Sequence, residues 1–144
     1  MLGRKRGHDP VSLAAACLRA MAVNDRETLN RLDPAFRKLS AEQILGALGQ
    51  LGQMIKPAIK PEQREVILAA LENAPGQTAI TRPATVAIGT ALLIDADPKK
   101  AAQEVARQAA KIAESGEDLT AVVMGCFMAT ASVVAELDIK FAFK

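Results

Sequence analysis

The chain has 144 residues, a length that fits one domain around a single core. It is 50% hydrophobic and 24% charged, with 18 basic groups against 16 acidic ones. That balance excludes a disordered polyelectrolyte and gives no charge-driven reason for a nucleic-acid or membrane partner. The four Phe are the only aromatic residues and alanine occupies 28 positions, a composition for closely packed helices rather than aromatic-rich strands.

Residues 1–9 form a basic arm, with Arg4, Lys5 and Arg6 followed by His8. Such an arm can contact phosphates, which makes those three cations weak phosphate candidates. No aromatic residue is interleaved with them and the helix that follows is apolar, so a solvated terminus is the plainer account of them. No apolar segment of the signal-peptide kind follows the arm. Cys17 and Cys126 each fall inside apolar helical sequence, as buried reduced thiols of a cytoplasmic protein do. With one His and no C-x-x-C pair, nothing in the sequence calls for a metal or a cofactor.

Helix starts are marked by capping side chains. Asp9-Pro10, Asp33-Pro34 and Asp97-Pro98 each place a carboxylate before a proline at the first helical position. Ser40 with Gln43, and Ser115 with Asp118, have capping-box spacing, and Pro61 and Pro83 open two further helices. The pattern predicts helices over 10–23, 26–39 (broken near Asp33-Pro34), 41–55, 61–73, 83–94, 98–114 and 117–137. The fold class is therefore all-α, a compact helical bundle of about six to seven helices over residues 10–138. Segments 11–23, 83–94 and 119–135 are apolar nearly all round and belong at the centre. Segment 98–114 is two-faced and belongs at the surface, with Ala101, Ala102, Val105, Ala106, Ala109, Ile112 and Ala113 turned inward. Although Leu119 to Ala135 is uncharged, acidic flanks and a length at the lower limit argue against a membrane span. The order apolar helix, Asp cap, polar helix, Ser cap, small-residue helix occurs twice, with Asp25 and Ser40, then Asp97 and Ser115. Two pseudo-repeated three-helix units joined by segment 61–73 would produce that order.

Functional candidates are sparse. Gly46, Gly49 and Gly52 interrupt a helical pattern at spacing three, and each costs a helix about 1 kcal/mol relative to alanine. Ala121, Gly125 and Ala129 form a second small-residue track at spacing four. Such tracks permit close helix pairing, within the chain or between copies, or line an apolar groove. Lys99 and Lys100 lie in the first turn of a helix, where the macrodipole disfavours cations, which makes them a second weak phosphate candidate. A solvated face with Lys100 paired to Glu104, and Glu104 to Arg107, is the plainer account. The tail 139–144 alternates Ile139, Phe141 and Phe143 with Lys140, Ala142 and Lys144, and Phe141 and Phe143 are candidates for docking on this bundle or on a second copy. No catalytic motif is recognisable. The leading expectation is a self-associating protein–protein interaction module without evident catalytic chemistry. An apolar small-molecule pocket comes second, and an accessory nucleic-acid binder using the arm third.

Overall fold

Asp9, Asp25, Ser40 and Asp97 each satisfy the free N–H groups that open a helix. Asp9 accepts from Ser12 N at 3.1 Å, Asp25 from Thr28 N at 3.1 Å, and Asp97 from Lys99 N and Lys100 N at 3.0 and 3.2 Å. Ser40 and Gln43 complete a reciprocal capping box. A computed structural model describes residues 9–117 and 119–137 of the chain. Among them are seven α-helices and no strand: α1 (Pro10–Ala22), α2 (Arg26–Arg37), α3 (Ala41–Ile55), α4 (Arg64–Glu72), α5 (Thr81–Gly89), α6 (Pro98–Ser115) and α7 (Thr120–Glu136). The chain is an all-α bundle of the expected size, and no described helix is long and apolar enough to cross a membrane.

Helices α1 and α7 lie at the centre. Leu13, Ala14, Cys17 and Leu18 of α1 are buried with Val122, Val123, Cys126, Phe127 and Val133 of α7. Leu45, Leu48 and Leu51 of α3 and Ile67 and Leu71 of α4 close the core around them. Phe36 of α2 reaches Phe127, with ring centroids 4.9 Å apart and tilted by 52°. On α6 only Ala101, Gln108 and Ile112 are buried, as a two-faced surface helix requires.

The packing order repeats between the halves. α1 packs on both α2 and α3, α5 packs on both α6 and α7, and the halves join through α1 with α7 and α3 with the segment after α5. Asn24 and Ala96 both have left-handed backbones, φ 57° and 49°, and each directly precedes a capping aspartate. The same strained corner thus recurs at the same place in each unit.

Four details depart from the sequence reading. Asp33-Pro34 does not break α2: Asp33 accepts from Arg37 Nε at 2.7 Å instead of capping. Proline removes the bond to the Asn30 carbonyl, and both residues are exposed, so water can serve that carbonyl. Ser115 closes α6 instead of opening α7. Its hydroxyl donates to the Ile112 carbonyl at 2.7 Å, Gly116 turns left-handed at φ 84°, and Leu119 starts α7 without a side-chain cap. Segment 61–73 begins with a 3-10 turn at Pro61–Gln63 before becoming α4, and a separate 3-10 turn at Lys56–Ala58 follows α3. Segment 83–94 starts two residues early and changes at Thr90–Ile94 into a π-helical turn. The Lys56 ammonium donates to the Asp95 carbonyl at 3.1 Å, tying the end of that turn to α3.

Candidate functional site

The π-helical turn carries Leu92 into a concavity that α3 and α6 also line. It is an open groove of about 540 Å³. Leu45, Gly46 and Gly49 line its α3 wall, Ala102, Val105, Ala106 and Ala109 its α6 wall, and Leu92 and Leu119 its floor. Among the described lining residues Glu42 is the only charged one, and Gln50 and Gln53 also line the α3 side. Ala102, Ala106 and Ala113, assigned inward by their periodicity, are exposed. Methyl groups are too short to reach across to α3, so the inward face of α6 is only half covered.

The glycine track divides between close packing and the groove. A Cβ on Gly52 would stand 2.1 Å from the Leu92 carbonyl oxygen, so the backbone of the π-helical turn occupies the place of that side chain. At Gly49 a Cβ would meet Leu92 Cδ2 at 3.2 Å, and at Gly46 it would meet nothing within 4 Å. Gly52 is therefore a packing glycine, and Gly46 leaves a notch in the groove wall.

The second track serves a loop. A Cβ on Gly125 would lie 2.6 Å from Gln77 Nε2, which donates to the Ala121 carbonyl at 2.8 Å. Gln77 Oε1 accepts from the buried Thr85 hydroxyl at 2.7 Å. Ala129 is buried in α7. Together these contacts fasten the connection between α4 and α5 onto α7. Arg82 adds donations to the carbonyls of Glu72 and Ala74.

At Lys99 and Lys100 the two backbone N–H groups that would face an anion are taken by Asp97 Oδ1. The Lys100 ammonium pairs with Asp95 at 2.7 Å rather than with Glu104, and this contact raises its pKa above the ordinary lysine value. Glu104 accepts from Arg107 and from Gln108, which hold its carboxyl below the usual range. The Lys100–Glu104 pair suggested by spacing does not form, whereas the Glu104–Arg107 pair suggested with it does.

Cys17 and Cys126 are free and buried. Burial pushes the Cys17 thiol up to about 11, with the nearby Asp33 charge adding to the rise, and burial pushes Cys126 up to about 12. Both are far from the thiolate form that nucleophilic chemistry needs. No group of three His, Cys, Asp or Glu able to hold a metal occurs among the described residues. Arg4, Lys5, Arg6, Phe141 and Phe143 lie outside the described residues.

Leu92, Ala102, Val105 and Ala106 are the groove residues that the sequence reading did not single out as a site. Their one signal was an inward face of α6 made almost wholly of alanine. No family model, curated protein or solved structure matches the chain.

Proposed function

We propose that the chain is a self-associating protein–protein interaction module that receives an apolar element of its partner in the α3–α6 groove. The groove itself carries this reading: about 540 Å³ of apolar space with one charged residue in its lining. Charge depletion around a concave apolar centre is the composition of protein interface cores. Its form, a trench between two helices, suits an elongated partner element that spreads its contacts along both walls.

Light scattering coupled to size exclusion tests this reading on an Ala106→Glu variant. Ala106 is exposed, and glutamate is a good helix former, so the fold should persist. A carboxylate inside the apolar groove should abolish association. Lys111→Glu, on the outer face of the same helix, should leave association unchanged. Equal association of wild type and both variants would contradict the reading.

A second reading, an apolar small-molecule site, is favoured by the volume alone, which falls within the roughly 300–1,000 Å³ common to such sites. Native mass spectrometry of freshly purified protein separates the two, since a bound small molecule adds a discrete mass.

A further inference from the structure

Helix α3 carries a single charge, Glu42, in 15 residues, whereas α2 carries Arg26, Glu27, Arg31, Asp33 and Arg37 in 12. The outer positions Gln43, Gly46, Gln50, Gln53 and Met54 of α3 are all exposed and uncharged. Gln50 and Gln53 stand on the groove rim, and neither amide is hydrogen-bonded to a described residue. Met54 is 46% exposed, one of four large apolar side chains so placed among the described residues.

We infer that the occupant of the groove is a second copy of this chain, with α3 packed antiparallel against α3 across a two-fold axis at Gln50. A two-fold interface brings one patch against itself, so any charge near the axis meets its own copy and is repelled. A glutamine amide has both donors and acceptors and pairs with itself. From Gln43 to Ile55 α3 carries no charge, and Glu42 stands eight residues from Gln50, about 12 Å along the helix, so it does not meet its own copy. The amide-bearing face around the axis is therefore complementary to its own image.

The spacing along α3 supplies the apolar contact as well. Gly46, Gln50 and Met54 fall at intervals of four, on one stripe of the helix. In an antiparallel pair centred on Gln50, Met54 of each copy lies opposite Gly46 of the other, about 6 Å along the axis from the centre. Gly46 leaves an open notch there, and Met54 is the flexible side chain that enters it. The inference rests on the groove being a self-association surface and adds the helix, direction and register by which the second copy docks.

The test is a charge exchange at the axis, read as solution mass by light scattering. Wild type should run at twice 15.2 kDa. Gln50→Glu and Gln50→Lys should each fall to 15.2 kDa with unchanged helix content, because each variant places a charge opposite its own copy. Mixing them in equal amounts should restore the doubled mass as a heterodimer. Wild type at 15.2 kDa throughout, or both single variants still dimeric, would overturn the inference. Ala106→Glu separates that failure from failure of the docking reading. If wild type and both Gln50 variants are dimeric and Ala106→Glu is monomeric, the copies meet in the groove and the register at Gln50 is wrong. If wild type is monomeric, or every variant is dimeric, both fall.

Discussion

Gly46 and Gly52 lie on one helix and respond oppositely to the same substitution. Alanine at Gly46 meets nothing of its own chain within 4 Å, so in the protein diluted below its association range only local propensity acts, and Gly46→Ala should gain about 0.5–1 kcal/mol. At Gly52 the same propensity gain applies, but the new methyl would lie 2.1 Å from the Leu92 carbonyl oxygen. That is far inside the roughly 3.5–4.0 Å at which non-bonded atoms attract. The obstacle is backbone, so it cannot swing away, and the π-helical turn must move with its tie to Lys56. Overpacking of this kind costs about 3 kcal/mol at the upper end of its usual range. Subtracting the propensity gain leaves Gly52→Ala destabilised by about 2 kcal/mol. At this chain length 1 kcal/mol corresponds to roughly 4 °C, so Tm should rise by about 2–4 °C for Gly46→Ala and fall by about 8 °C for Gly52→Ala. Urea unfolding followed by circular dichroism at 222 nm provides the free energies. A Gly52→Ala variant stabilised as much as Gly46→Ala would refute the close approach of α3 to the π-helical turn.

Three further outcomes follow from the packing. Cys17 and Cys126 should react slowly with an aromatic disulfide in native buffer and rapidly in denaturant, and two fast native equivalents would contradict their burial. Because folding raises both thiol pKa values, the stability they contribute is complete below about pH 8.5 and is lost as pH climbs towards 11 and 12. Replacing both with alanine should flatten the alkaline side of the stability profile. Ala96→Gly relieves a left-handed alanine and should raise stability by about 1 kcal/mol in urea unfolding, whereas no gain would mean that the corner is unstrained. Gln77→Ala leaves the buried Thr85 hydroxyl without its Gln77 partner and should cost about 1–3 kcal/mol, with faster proteolysis in the 74–80 loop; an unchanged midpoint would show that the loop is not held through this side chain.

The helices were legible because their ends are written in short-range chemistry. Asp9, Asp25, Ser40 and Asp97 bind N–H groups two or three residues away, so a sequence window contains both partners. The central positions of α1 and α7 followed from their lack of charge in the same way. Asp33-Pro34 carried the same signature as Asp9-Pro10, and only the exposure of Asn30 and Pro34 lets α2 continue past it.

The groove was not legible, because periodicity reports the polarity of a face and not the distance to its neighbour. Ala101 and Ala102 are equally apolar, yet one is buried and the other exposed. The glycine track was visible, but its division was not. Three residues turn a helix by about 300°, so glycines at spacing three fan around the axis instead of forming one stripe. Gly52 consequently meets the π-helical turn while Gly46 opens into the groove. The π-helical turn that positions Leu92 has no capping residue of its own to announce it.

The most direct measurement of the central claim uses the buried state of the two native thiols. Gln53→Cys introduces a single accessible thiol in the groove lining, beside the Gly46–Gln50–Met54 stripe and not on it, and a polarity-sensitive fluorophore can be attached there selectively. As protein concentration is raised through the association range, its emission should shift to the blue as a second copy covers the groove. The same fluorophore at Lys111→Cys should not shift. Emission from position 53 that stays water-like while the protein dimerises would show that the copies meet through another surface and would contradict the account.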